Sequence, residues 1–369
     1  MARLSHVQFH ILRDVKQHVR LADDQRASRT DPDVLHNRIA FVCLLAHPDG
    51  NIYCGLTAYD SDIFAKYDPR TQRFTGLGYE KVAEPFEVKI HRSLELGADG
   101  TIYGATATLY TLDKRLQTPG GALFRFDPKS GAIRKLCIPC KHDYPQTITL
   151  DEKRGRIYGM TQPVFKFFAY HLDDGRVEDH DYMGSITHIG CVDDDGCYWG
   201  TWDESKHFLF KYDPATARVT YFDHGLPEGA KFADIMYRGA GPCDGMIKAP
   251  NGCIYIGTTG GTLCRLDPKT AKVDYLGRPY PTKRLPGLKM LDDRRILCAG
   301  GDEAGGFLAI YDIKTNGWEM LGPLKDEKTG LVLYRVHDMT LSLDRKTAYV
   351  AETDVPDRSG YLWEARIEA

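Results

Sequence analysis

One hairpin keeps returning along this chain, and that recurrence limits what it can fold into. A turn followed by an aromatic-rich strand appears as HPDGNIYCGLT ending at Thr57, GADGTIYGAT at Thr106 and EKRGRIYGMT at Thr161. It appears again as DDDGCYWGTW at Trp202 and APNGCIYIGTT at Thr259. Two degenerate copies, DDRRILCAGG and DRKTAYVAET, end at Gly301 and Thr353, which makes seven. Gly50, Gly100, Gly155, Gly196 and Gly252 stand at the turns, where Asp-Gly and Asn-Gly supply the positive φ of a tight hairpin. An apolar run such as FVCLLA or SLEL precedes each turn. After a variable loop comes a second strand and turn, as in KYDPRTQRF, RFDPKSGAI, YHLDDGRV, KYDPATARV, RLDPKTAKV and IYDIKTNGW. Asp68, Asp127, Asp213, Asp267 and Asp312 share one position in those turns.

Each unit is therefore four short strands in about 50 residues, the size of a propeller blade. The last unit ends after its third strand, YLWEARI, and the stretch 7–12 alternates apolar and polar, so it is expected to supply the missing strand and close the ring. The reading is an all-β, seven-bladed β-propeller of four-stranded antiparallel blades, with residues 1–369 forming a single domain. A length of 369 residues alone would suggest two or three domains, but a repeat architecture overrides that prior.

Composition removes several partners. Lys and Arg total 48 against 51 Asp and Glu, a formal charge of −3, so neither nucleic acid nor an anionic membrane is expected to bind. The N-terminus has scattered charges and no apolar core of a signal peptide, and the longest apolar run, Ile39–Ala46, is too short to span a bilayer. The cytoplasm is the expected compartment for the chain as given. Most of the ten cysteines, such as Cys43, Cys54, Cys191, Cys253, Cys264 and Cys298, fall inside expected strands as small hydrophobes. Cys137-Ile-Pro-Cys140 has redox or zinc spacing, but without a second pair it reads as structural.

In a propeller the first strand of each blade lines the channel. The segment leading into it and the loop between strands two and three open on one mouth, opposite the Asp-Gly hairpins. The variable side is the expected functional face. The lead-ins carry His91 in blade 2, Tyr144 and Gln146 in blade 3, His188 in blade 4, Asp244 in blade 5, and His337 with Asp338 in blade 7. Blades 1 and 6 begin with apolar or small residues around Phe41 and Gly287. Second strands end on the same side with Trp202, Asp203, Asp302 and Glu352. Loops 107–120, 223–241 (with Tyr237 and Arg238) and 280–284 frame the face. A lone histidine at a strand start ordinarily serves a neighbouring backbone, but three in register with Gln146 and Asp244 point to a functional pocket. Imidazoles from several blades with Asp244 and Glu352 as carboxylate ligands would suit a divalent cation, the only cofactor the pattern raises. No short local ligand motif such as HExxH accompanies them.

The repeated DG-x-IYG-x-T and YDP-x-T segments resemble propellers of the NHL-repeat and streptogramin lyase group over most of the chain. In VHDMTLSLDRKTAYVAET, His337 leads a first strand and Glu352 ends a second. The resemblance implies elimination chemistry and magnesium binding for those two residues. Seven-bladed polysaccharide lyases, including a rhamnose–glucuronate-cleaving group, are similar in residue types, here His91, His188, Tyr144, Tyr237 and Arg238. That resemblance implies β-elimination at a uronate.

Three functions follow. The first is a carbohydrate lyase of the polysaccharide-degrading kind, acting next to a carboxylate. It needs a base (His91, His188 or His337), an acid (Tyr144 or Tyr237) and a bidentate cation for the carboxylate (Arg238, Arg92 or Arg335). Trp202 and Tyr110 would stack on the sugar ring, and Gln146 would contact the substrate. The second is a metal-dependent hydrolase or lactonase built on Glu352, Asp244 and the histidines. The third is a non-catalytic propeller that binds a ligand or protein.

Overall fold

Each repeated sequence element has a direct structural use in the computed structural model, which describes residues 2–12, 39–58, 62–110, 112–185, 187–203, 205–227, 243–303, 305–356 and 358–368. The shared turn aspartates are caps. Oδ1 of Asp68, Asp127, Asp213, Asp267 and Asp312 accepts the backbone N–H two residues on, at 2.9–3.0 Å. Where the turn reads Asp-Pro-x-Ser/Thr, the hydroxyl of Ser130, Thr216 or Thr270 closes the other carboxylate oxygen at 2.6–2.9 Å. Such side-chain turns imitate a backbone turn and fix the strand three to strand four hairpin.

The chain forms seven four-stranded antiparallel sheets, an all-β, seven-bladed propeller. Blade 1 is Ile39–Ala46, Ile52–Ala58, Phe64–Asp68 and Arg73–Gly76. Blade 2 is Leu94–Leu96, Ile102–Ala105, Leu123–Asp127 and Ala132–Cys137, and blade 3 is Tyr144–Asp151, Arg156–Gln162, Lys166–His171 and Val177–Tyr182. Blade 4 is Cys191–Val192, Tyr198–Trp202, Phe208–Asp213 and Arg218–Gly225. Blade 5 is Cys243–Lys248, Ile254–Thr258, Leu263–Asp267 and Lys272–Gly277. Blade 6 is Gly287–Met290, Arg295–Gly300, Phe307–Asp312 and Gly317–Pro323. Blade 7 takes Val336–Leu341, Thr347–Glu352 and Leu362–Glu368 from the C-terminus and Arg3–His10 from the N-terminus.

The N-terminal strand does complete the last blade, but it covers Arg3–His10 and not 7–12. Side-chain anchors explain the difference: Arg3 Nε and Ser5 Oγ donate to the two oxygens of Glu368 at 2.9 and 2.8 Å. Alternation of apolar residues does not encode such anchors. Cys253 likewise lies one residue ahead of its expected strand.

The chain divides into two compact units, one of Met1–Gln8, Met183–Val350 and Trp363–Ala369, the other of Phe9–Tyr182 and Ala351–Leu362. In the first unit the opening strands of blades 4, 5, 6 and 7 pack side by side. In the second, those of blades 1, 2 and 3 do the same. Within each unit, lead-ins are tied to the preceding blade through the backbone: Ile90 N–H to Leu56 O, Leu285 N–H to Thr258 O and Val336 N–H to Gly301 O, at 3.0–3.1 Å.

Two repeated small residues mark close approaches. The threonine after the strand-two glycine is buried, and its hydroxyl meets a polar partner from the lead-in: Thr106 with Glu87 at 2.7 Å, Thr161 with Asp143 at 3.1 Å and Thr201 with Ser185 at 2.8 Å. The glycine itself sits under an aromatic ring. Gly104, Gly159 and Gly200 pair directly with Phe124, Phe168 and Phe210, and a Cβ at Gly104 would lie 2.2 Å from the Phe124 ring. Gly104→Ala should therefore destabilise by about 1–3 kcal/mol through overpacking. Adding Phe124→Leu should return part of that loss in thermal or urea melts. Strictly additive effects in the double variant would show that ring and glycine do not pack as described.

Candidate functional site

The polar lead-in residues of the first unit form one connected arc. The His188 N–H donates to Cys243 O at 3.2 Å, which sets the imidazole beside the next residue, Asp244. His188 Nδ1 lies 3.2 Å from Asp244 Oδ1. The same carboxylate receives a guanidinium fork, with Arg284 Nε 3.0 Å from Oδ2 and Nη2 2.9 Å from Oδ1. The Asp244 side chain is fully buried and that of Arg284 nearly so. Arginine stays charged, so it holds Asp244 ionised, and an ionised carboxylate only accepts. His188 must then donate from Nδ1–H, which makes Nε2 its basic nitrogen.

Backbone bonds carry the arc onward. Gly301 N–H donates to Arg284 O, and Val336 N–H donates to Gly301 O, both at 3.1 Å. Beside Gly301 stands Asp302, which accepts from Arg335 Nε, and beside Val336 stands His337. Four consecutive blades thus contribute His188, Asp244, Arg284 with Asp302, and Arg335 with His337.

The second unit uses its polar residues differently. His91 Nδ1–H donates to Gln146 O at 2.6 Å, and Gln146 Nε2 approaches His91 Nε2 at 3.4 Å. Both ring nitrogens face Gln146, so this pair joins blade 2 to blade 3, the ordinary duty of a strand-start histidine. Arg92 is buried with φ of 36°, and its carbonyl accepts from Thr147 Oγ1 at 3.1 Å. Tyr144 and Tyr110 are buried as well. Glu352 is closed by Arg358, whose Nη1 and Nη2 lie 2.7 and 2.8 Å from its oxygens, and by the Tyr361 N–H at 2.9 Å.

Several sequence expectations change in this light. The strand-start residues were expected to lie open at a mouth. Instead His91, His188 and His337 are only 2, 5 and 6% exposed, because the lead-ins are bonded into neighbouring blades. Asp244 and Glu352, expected as metal ligands, each carry an arginine fork, and we assign neither a metal-holding role. Among the described residues, the one group of three ligand-type side chains close enough to share an ion is His171, Asp173 and Asp174. It lies at a blade 3 hairpin, where His171 is already engaged by Glu178 at 2.7 Å and Arg176 at 3.1 Å. Trp202 is half-buried, gives its indole N–H to Phe222 O at 3.0 Å and packs on Phe208 and Tyr221. Tyr237 and Arg238 lie outside the described residues. Cys137 and Cys140 are free thiols, and burial pushes both up in pKa, Cys137 to about 11, which disfavours the reactive thiolate.

Sequence reasoning missed Arg284, the cation that organises the arc. It stands two residues upstream of the position shared by His188, Asp244 and His337, so a reading in strict register passes it over. It lies ahead of the strand Gly287–Met290 on a left-handed backbone, φ 69°, so strand alternation gave no signal for it.

One carboxylate near the strand two to strand three loop of blade 1 is buried against a second carboxyl. Burial, then a hydrogen bond to the Glu80 carboxyl, pushes Asp62 up to about 7, against the lowering effect of the Phe64 and Gly78 N–H groups. Its folded pKa is raised, so its contribution is full below the unfolded value of about 3.9 and is lost as pH rises through about 7. Urea melts should show wild type losing stability relative to Asp62→Asn between about pH 5 and about pH 8. A constant difference between the two proteins across that window would contradict the assignment.

Comparison with known proteins bears on the fold. The sequence matches no protein family, and no curated protein is significantly similar to it. Solved structures do match. A streptogramin B lyase structure superposes with a TM-score of 0.64 at 13% identity, covering 90% of this chain and 95% of that one. A catalytically inactive His-to-Ala virginiamycin B lyase from Staphylococcus aureus with quinupristin gives 0.62 at 11% identity over 99% of both chains. The extracellular domain of BT4673 from B. thetaiotaomicron gives 0.58 at 14%, covering 99% of this chain and 42% of that one. The chain thus shares the propeller fold of the streptogramin lyase group.

Proposed function

We propose that this protein is a lyase that breaks a carbon–oxygen bond by β-elimination next to a carboxylate, on a uronate-type ring substrate. The observation that carries the reading is the buried His188–Asp244 pair, a base with its tautomer set by a carboxylate, on a lead-in segment of blade 4. Support also comes from the shared fold with a lyase that a His-to-Ala change leaves catalytically inactive.

In this mechanism His188 Nε2 removes the proton α to the substrate carboxylate. The electron pair from that C–H bond forms the new double bond, and the C–O bond at the β-carbon breaks. His337 returns a proton to the departing oxygen, so protons and charge balance over the cycle. Arg335, fixed by Asp302, would stabilise the carboxylate as enolate charge develops on it. Such preorganised charge acts where the transition state differs most from the bound substrate. Metal-dependent hydrolysis is the weaker reading, because its carboxylates are already held by Arg284 and Arg358.

Uronate-containing oligosaccharides, with quinupristin as the comparison substrate, should be screened for an unsaturated product with and without chelator. Turnover of a uronate should persist with chelator, and His188→Ala should lower it by about 10²–10⁴-fold. The same variant should cost only about 1–2 kcal/mol in stability, since the Asp244–Arg284 pair survives. Full activity in His188→Ala, or turnover that a chelator abolishes, would reject this mechanism.

A further inference from the structure

Arg284 is held in place more firmly than an arginine needed only for charge. Its φ is 69°, a left-handed backbone that costs an ordinary residue energy and persists only where surroundings impose it. Two neighbours impose it here: its N–H donates to Thr259 O at 3.0 Å, and its carbonyl accepts from Gly301 at 3.1 Å. The approach leaves no room for a side chain, since a Cβ at Gly300 would lie 2.5 Å from Arg284 O. Blades 5 and 6 thus grip the residue on both sides.

The guanidinium then does something a point charge cannot. Its two bonds run to different oxygens of Asp244, Nε to Oδ2 and Nη2 to Oδ1. A planar fork on two oxygens fixes the plane of the carboxylate as well as its position. Oδ1 is also the atom that faces His188 Nδ1. Rotation of the Asp244 carboxylate would break the fork and the imidazole contact together.

From this geometry we infer that Arg284 is a positioning residue: acting through Asp244, it locks the His188 ring as the Nδ1–H tautomer in one orientation. Arg284 touches no reacting atom in this scheme. The kinetic part of the inference rests on the lyase reading, whereas the structural part does not.

Nitrogen-15 NMR of histidine-labelled full-length protein reads the tautomer directly, without any substrate. Wild type should show His188 as the neutral Nδ1–H form. Arg284→Gln should lose that signature and lower kcat by about 10²-fold with KM little changed, the expected result of misplacing a base. Arg284→Lys keeps a positive charge without the fork. It should recover the tautomer signal but only part of kcat, and it decides the matter if the glutamine variant does not fold. Folded variants that keep both the wild-type tautomer and the wild-type kcat would overturn the inference. If no elimination substrate is found while the signature still follows Arg284, the lyase reading fails and the positioning role stands.

Discussion

The backbone ties between lead-in segments and neighbouring blades are the constraint on which the rest of this structure depends. Leu285 on Thr258 and Val336 on Gly301 are backbone bonds between blades, not within them. They satisfy main-chain groups that would otherwise be buried without partners, which is costly. They also draw the adjacent side chains out of water. A histidine or aspartate at such a position must then find its partner inside the protein, and it finds one on the neighbouring blade. The polar arc from His188 to His337 is thus a consequence of how the blades are fastened together.

Buried charges of this kind are poor sources of stability. Removing a carboxylate and a guanidinium from water costs several kcal/mol per ion, and their attraction repays this only when geometry is good and remaining hydrogen bonds are made. Asp244 meets that condition with three contacts from two residues, and Glu352 with two from Arg358 and one from the Tyr361 N–H. Breaking either set would leave an uncompensated buried charge. The two differ in what else they hold. Around Glu352 the network closes on the backbone and on the Tyr361 ring, 4.0 Å from the Arg358 guanidinium. Around Asp244 it includes an imidazole, a group that can carry a proton at either ring nitrogen.

The seven blades were legible because turn chemistry is local. Asp-Gly positions, capping aspartates and the IYG-x-T strand are encoded in a few neighbouring residues, and each has the use its spacing implies. The strand that completes blade 7 was legible in kind but not in register, since its anchors pair residues 363 and 365 apart in sequence. The site was legible only in part. Register brought out His188 and Asp244, which do meet, while strict register hid Arg284. Nothing in a list of strand-start residues separates His91, whose ring is taken up by Gln146, from His188, whose ring rests on a carboxylate. That distinction depends on which residue the adjacent blade presents.

The likeness to lyase structures, at 11–13% identity, carries the fold and leaves the chemistry to this chain's own residues. In the proposed chemistry the base His188, the Asp244 that orients it and the Arg284 that fixes Asp244 come from three consecutive blades. Asp244 is the extra residue at the register shift between Cys243 and Gly245, and loss of that bulge would re-aim its side chain. His188 and Arg284 would each lose their shared partner at once. The bulge, and not the hairpin register alone, therefore decides whether the arc exists. The repeat and the arc are therefore inseparable: lead-ins of consecutive blades bring His188 and Arg284 each within 3.2 Å of Asp244.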